Sequence, residues 1–314
     1  MIAEYALEPE MVATWGDRSN HRFFIREFGS SQGRLVSRYP KKWAKKVWES
    51  FAESDEMDRK RLEELLVRLQ ETMIKRKDFV WDDAQPWLNN AVLENARHPF
   101  RAILARNNRE SRPEILCEDV LASTPCPGWD SPHGVAVHRN APEMAAAVKQ
   151  MLACCRWVKF IDPHLSPGRP DYRASLRAFL RVLAGGRPVG PPESIEIHTG
   201  LHNGTKDFLR NAYQELIPEG LQVTVYQWQE RPGGQRLHNR YILTDLGGVS
   251  FFHGLDTGAD GETDDLARLD IDPYLLHAKQ YDPAAPAFDQ AAEPIRITGV
   301  MRGVFNHGLD HCFL

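Results

Sequence analysis

The chain has 314 residues, of which 42% are hydrophobic, 26% charged and 10% aromatic; this is a globular composition, and it excludes collagen-like, wholly disordered and membrane-spanning classes. Thirty-nine Lys plus Arg against 43 Asp plus Glu leave a net charge of −4, which excludes a uniformly basic nucleic-acid coat but not a local basic patch. The best candidate for a membrane span, Met144 to Cys155, is broken by Lys149 and Gln150 and is shorter than the roughly 18 to 20 apolar residues a bilayer requires. The start, MIAEYALEPE, carries acids where a secretory leader carries a basic end and an apolar stretch, so a cytoplasmic protein is expected. Five cysteines, odd in number and without a C-x-x-C, point to reduced thiols and argue against a disulfide framework or a structural zinc.

In chain order, the first stretch to about residue 80 is expected to be helical. Pro40 opens KKWAKKVWESF, and Asp58 is placed to cap a helix on which Leu62, Leu65, Leu66 and Leu69 recur at helical spacing. Lys and Arg outnumber acids by 13 to 8 between Arg34 and Lys77. Trp43 and Trp48 sit among Lys41, Lys42, Lys45 and Lys46. The favoured reading puts the tryptophans in the core and the lysines on a solvated face; a nucleic-acid surface of cations and stacking rings is the alternative. From Trp81 to His133 only short apolar pieces occur, RAILA and EILCEDVLA, with no motif, and the Pro- and Gly-rich TPCPGWDSPHG is the best boundary. Residues 1–130 therefore form an α-rich N-terminal region, with nucleic-acid or partner contact as its candidate role, and 131–314 form a second domain.

After residue 134 the rhythm changes. VAVHR, WVKFIDPHL, SIEIHTG, LQVTVYQWQ, RLHNRYILTD and GVSFF read as strands. PEMAAAVKQMLACC, DYRASLRAFLRVL and TKDFLRNAYQELI read as helices between the earlier of them, and Gly247–Gly248 as a hairpin turn. Alternation of this kind predicts an α/β domain with a largely parallel sheet and an antiparallel edge. Ligands in such folds sit beyond the carboxyl ends of the strands, where Asp162, His164, His198 and Trp228 should lie.

The segment from Leu237 to Gly248 carries the chemistry. On a strand His238 and Arg240 share a face; an imidazole can attack phosphorus while a guanidinium two residues on holds the phosphoryl oxygens. Asp245 has the opposite parity and is expected to bond backbone at the strand end. The spacing of His238, Arg240 and Asp245, followed by a Gly-rich turn and GVSFFHGLD, resembles the phospholipase D superfamily, whose signature is His-x-Lys-x4-Asp followed by Gly-Ser-x-Asn. The resemblance covers about residues 134–256, with RITGVMRGVF as a final strand. It implies a phospholipase-D-like mixed sheet flanked by helices and a metal- and cofactor-independent phosphodiesterase. In that reading His238, Arg240, Asp245 and Asp256 are catalytic, and Asn239, His253, Asp162, His164 and His198 contact the substrate.

Arg stands in place of the family's Lys, and the usual Ser and Asn are not evident. Arg keeps the charge but binds phosphate as a fork and never releases its proton, so turnover is more in question than phosphate binding. The family uses two such motifs. Here the near miss at His277-Ala278-Lys279 has Asp282 two residues too early and reads as a loop. The resemblance therefore implies a homodimer in which each chain contributes a His238 to one shared site; alternatively His253, His198 or His164 supplies the acid within one chain. Nucleic acid is the expected substrate, because the N-terminal region is basic and no membrane-binding segment is evident. The resemblance further implies a prokaryotic defence role, within a larger complex. The alternative is a degenerate, non-catalytic binding or scaffold subunit of a nucleic-acid-processing complex.

Other signals are weaker. Gly29-Ser30-Ser31-Gln32-Gly33 matches the serine-hydrolase elbow pattern but runs into Pro40 instead of a helix. His198 and His202 are four apart, but among glycines that argue for a turn instead of a metal-binding helix. The acid-rich run from Asp256 to Asp289 lacks the periodic ligands of a calcium loop and reads as a solvated loop. LAGGRPVGPP lacks the ending of a P-loop.

Overall fold

The computed structural model describes residues 1–52, 55–121, 125–201 and 205–301. Its first sheet draws on β1 (Ala3–Leu7), β2 (Arg34–Val36), β3 (Ala102–Leu104) and β4 (Ile115–Leu116), in the order β2-β1-β3-β4 with every pair parallel. Around it lie α1 (Pro9–Val12), α2 (Arg18–Phe24), α3 (Trp43–Ser50), α4 (Glu56–Glu71), α5 (Trp87–Arg97) and α6 (Glu118–Leu121). Successive strand residues face opposite ways. Tyr5 and Leu7 accordingly pack with Trp43 and the α4 leucines Leu62, Leu65, Leu66 and Leu69, while Ala6 and Ile103 pack with Trp87 and Ala91 of α5.

The N-terminal region is thus α/β and not simply α-rich. Its strands are short and buried on both faces, so they carry no apolar–polar alternation to announce them. The cap of α4 is Asp55, whose carboxylate accepts the Met57 N–H, and not Asp58. Trp43 is in the core, its indole N–H donating to the Leu7 carbonyl at 2.6 Å, whereas Trp48 remains 37% exposed.

The second sheet contains β5 (Gly134–His138), β6 (Trp157–Ile161), β7 (Ser194–Gly200), β8 (Gln222–Gln229), β9 (Tyr241–Thr244), β10 (Gly247–Phe251), β11 (Thr263–Arg268) and β12 (Asp289–Thr298). The order is β12-β8-β7-β6-β9-β10-β11-β5; β6, β7 and β8 are parallel and every other neighbouring pair is antiparallel. One face packs against α7 (Ala141–Cys154), α8 (Pro170–Ala184) and α9 (Lys206–Gln214) through Val148, Phe179 and Leu209, and the other meets α10 (Ile271–Gln280) and its flanks through Trp228, Tyr281 and Phe288. The α/β class expected for this part is therefore present, but the sheet is mostly antiparallel instead of largely parallel, because only the helix-linked strands β6, β7 and β8 run parallel and the hairpins that follow reverse direction each time.

Local expectations change in three places. The β9–β10 turn is Asp245–Leu246, and Gly247 and Gly248 already belong to β10. The acid-rich run is not one solvated loop, because it folds into β11 and α10. His277 lies on α10, not in a loop; its Nδ1 is 2.9 Å from Gln280 Oε1. Residues from 302 onward, including Cys312 and the end of RITGVMRGVF, lie outside the described residues.

Two buried arginines tie the chain together. Arg268 donates from Nε to the Ser31 carbonyl at 2.9 Å and from Nη1 to Ser131 Oγ at 3.2 Å. Arg76 bonds both Glu4 oxygens at 2.9 and 2.7 Å and Glu94 at 2.6 Å, over the Phe100 ring. Cys117, Cys126, Cys154 and Cys155 are free thiols. Among the described residues no helix is long and apolar enough to cross a membrane.

Candidate functional site

The strand directions bring the carboxyl ends of β5, β6, β7, β8 and β10, and the amino ends of β9, β11 and β12, to one edge of the second sheet. Arg139 follows β5, Asp162 follows β6, Arg240 precedes β9, and His253 to Asp256 follow β10. Segments far apart in sequence therefore meet at this edge.

Asp162 is buried. Its Oδ1 accepts the His164 N–H at 2.9 Å; its Oδ2 accepts the Leu255 N–H at 2.9 Å and the Tyr172 hydroxyl at 3.3 Å. Burial pushes the carboxyl above its ordinary value, and the two N–H donors and the Arg240 cation offset this only in part. Asp256 accepts Arg139 Nη2 at 2.9 Å and lies 3.6 Å from Arg169 Nη2. Between them is Gly254, at φ +141°. A Cβ there would lie 2.6 Å from Asp256 Oδ1, 3.1 Å from Asp162 Oδ2 and 3.4 Å from Arg240 Cδ, so both the backbone angle and the space require glycine.

Two histidines lie on the segments that carry or bond Arg240. Its Nη1 donates to the Phe252 carbonyl at 3.4 Å, next to His253, and its Nε is buried without a partner. His253 is bonded by Asp264 Oδ1 through both its backbone N–H, at 3.0 Å, and its Nδ1, at 3.1 Å. Asp264 is buried while the His253 side chain is 49% exposed. A carboxylate only accepts, so Nδ1 carries a proton, and Nε2 accepts in the neutral ring and donates in the protonated one. His238 is exposed, with Nδ1 3.1 Å from the Arg236 carbonyl; the same logic gives it the same tautomer.

The structure departs from several expectations. His238 and Arg240 lie in the segment before β9, not on it, although the Arg240 carbonyl still accepts the Phe251 N–H at 3.0 Å. Asp245 is at the opposite edge of the sheet, about 16 Å along the chain from Arg240 at roughly 3.3 Å per residue. There its carboxylate accepts the Arg156 N–H at 2.7 Å, the Trp157 N–H at 3.4 Å and Arg156 Nε at 2.9 Å. It fixes the start of β6 against the hairpin and lies away from the edge that holds Arg240.

His198 is not open to a ligand either. It is buried in a stack with Tyr226 and Trp228, edge-on to Tyr281. Its Nδ1 accepts the Trp228 indole N–H at 3.0 Å, and its Nε2 donates to Glu196 Oε2 at 2.9 Å, which also pairs with Lys159 at 3.3 Å. Trp228 is equally buried, and His202 lies outside the described residues.

Burial pushes His198 below its ordinary value of 6.5, and Glu196 offsets this only in part. Below that pH the unfolded chain takes up a proton that the folded ring resists, so stability falls as pH drops, by up to about 1.4 kcal/mol per pH unit. Urea unfolding of wild type and His198→Phe at about pH 7 and pH 5 should show a smaller acid loss in the variant; parallel losses would mean that this ring is not responsible.

His164 is exposed beside Asp162, and Asn239 accepts the Tyr241 hydroxyl at 3.4 Å. Arg139, Arg169, Tyr172 and Asp264 are functional candidates that the sequence reading missed. Arg139 carried a usable signal, standing at the end of the strand VAVHR just as Asp162 stands at the end of WVKFI.

Comparison of the chain with family models, with curated proteins and with solved structures yields no match.

Proposed function

We propose that the protein is a metal-independent phosphodiesterase acting on DNA or RNA, with the phosphate seated at the carboxyl edge of the second sheet. The observation that carries this reading is a guanidinium, Arg240, two residues after His238 and bonded to the carbonyl of Phe252, which precedes the Asp264-bound His253 in the chain. His238 Nε2 attacks phosphorus, the P–O bond to the leaving strand breaks, and protonated His253 gives that oxygen its proton. Neutral His253 then takes a proton from water, which displaces the imidazole and regenerates both rings. Arg240 neutralises the phosphoryl oxygens, and Asp162 and Asp256 hold the arginines and the 254–256 turn in register.

In this scheme His253 does within one chain what the family resemblance assigns to a second His238 across a dimer. Nucleic acid is favoured over lipid by Arg139 and Arg169 at the same edge, and by Trp48, exposed on α3 one turn from the exposed Lys45. One observation favours the binding-subunit alternative: Asp256 already pairs with Arg139 and lies 3.6 Å from Arg169, so part of the positive charge at this edge is compensated.

Supercoiled plasmid in EDTA separates the readings. Wild type is expected to nick and His238→Ala to be inert; if both are inert and bind DNA equally, the protein is a binding subunit. Phosphatidylcholine turnover without nicking would replace the nucleic acid with lipid.

A further inference from the structure

We propose a second ligand site, for a nucleoside phosphate, in the groove at the carboxyl ends of β1 and β3. The site is on the first sheet and uses none of the residues assigned to phosphodiester cleavage.

Topology supplies the first argument. From β1 the chain moves outward to β2, then returns to β3 on the other side of β1. The loops after β1 and β3 therefore leave in opposite directions, and a crevice opens between them, which is where open parallel sheets hold their ligands. A groove of about 1210 Å³ lies there, lined by Glu8 and Glu10 after β1, by Arg106 and Arg109 after β3, and by α5. It slightly exceeds the roughly 300–1,000 Å³ usual for small-molecule sites.

Its chemistry supplies the second. Arg106 and Arg109 are exposed, and among the described residues neither side chain has a hydrogen-bond or ion-pair partner. They project from a fixed loop. Glu8 Oε2 accepts the Arg106 N–H at 2.6 Å; Asn108 donates to the Arg112 and Ile115 carbonyls at 2.8 and 3.0 Å and accepts the Arg112 N–H at 2.8 Å. Two guanidiniums without a hydrogen-bond or ion-pair partner on an ordered loop, one of them near the Glu8 carboxyl, suit a phosphate, because little ordering remains to be done on binding.

The facing wall on α5 is apolar, with Leu88, Val92 and the 58% exposed Leu93; this surface suits a flat ring. Glu10 and Asp82 line the same groove as acceptors for ribose hydroxyls or base amino groups. Cations, an apolar wall and carboxylates together match a nucleoside phosphate better than a bare anion or a lipid tail. The nucleoside phosphate is either a free nucleotide or the phosphorylated end of a single strand.

Calorimetric titration of the full chain in EDTA with AMP, ATP, inorganic phosphate and a 5′-phosphorylated oligothymidylate tests this. A mononucleotide is expected to bind one-to-one. Arg106→Glu with Arg109→Glu should weaken it at least about tenfold with unchanged thermal unfolding, and His238→Ala should leave it unchanged. Binding of the oligonucleotide alone, lost in the same double variant, supports the strand-end source. Three results overturn the site: no saturable binding of any nucleotide, inorganic phosphate binding as tightly as nucleotides, or affinity that falls in His238→Ala and not in the double variant.

Discussion

Arg76→Met is expected to destabilise the chain by about 3–5 kcal/mol in urea unfolding. Arg76 is fully buried with Glu4 and Glu94, both equally buried, and holds three of their oxygens and the His98 carbonyl. Removing the cation leaves Glu4 without a counter-charge and Glu94 with only Arg97, 3.2 Å from its other oxygen, at the centre of the first sheet. The cost lies in the orphaned charges more than in the lost bonds. Replacing all three residues by apolar ones of similar volume should therefore recover much of the loss. A loss below about 1 kcal/mol for Arg76→Met would show that water reaches these groups and that they behave as a surface pair.

His253→Ala and Asp264→Asn are expected to have the second large effect, on turnover and not on folding. A positioned proton donor contributes roughly 10²- to 10⁴-fold, so His253→Ala should lower kcat for nucleic-acid cleavage by that range while KM stays within a few-fold. Asp264→Asn should follow it in direction, because the imidazole loses the carboxylate that fixes its tautomer and supports its protonated form. Specific activity should also be independent of protein concentration, since one chain holds both histidines. If His253→Ala turns over normally and activity disappears on dilution, the second imidazole comes from a second chain.

Much of the second sheet was legible because its strands and helices alternate with clear punctuation: Pro163 after β6, Gly185 after α8 and Pro218 beyond α9 each stop an apolar run. The first sheet was not. β3 and β4 are only three and two residues long, and strands so short and so fully buried leave no periodic trace. The candidate site was half legible: the spacing of His238 and Arg240 drew attention to the edge described above, and Asp256 joins them there. That same spacing over-read Asp245, because four residues of β9 carry it to the opposite edge. The His253–Asp264 couple was hidden for the converse reason. Its members are eleven residues apart on a hairpin, and their contact exists only once β10 and β11 pair. His198 was misplaced because an aromatic stack that seals a histidine is assembled from two strands and the segment after α10, none of which reveals burial alone.

The claim that everything rests on is that His238 becomes covalently bonded to phosphorus. Acid-free quenching of the wild-type chain during cleavage of a short oligonucleotide, followed by mass spectrometry of its peptides, tests this directly. A phosphoryl-linked nucleotide is expected on the peptide carrying His238, more abundant in His253→Ala and absent in His238→Ala. Cleavage that proceeds with no adduct on that peptide, or with the same adduct in His238→Ala, would contradict it.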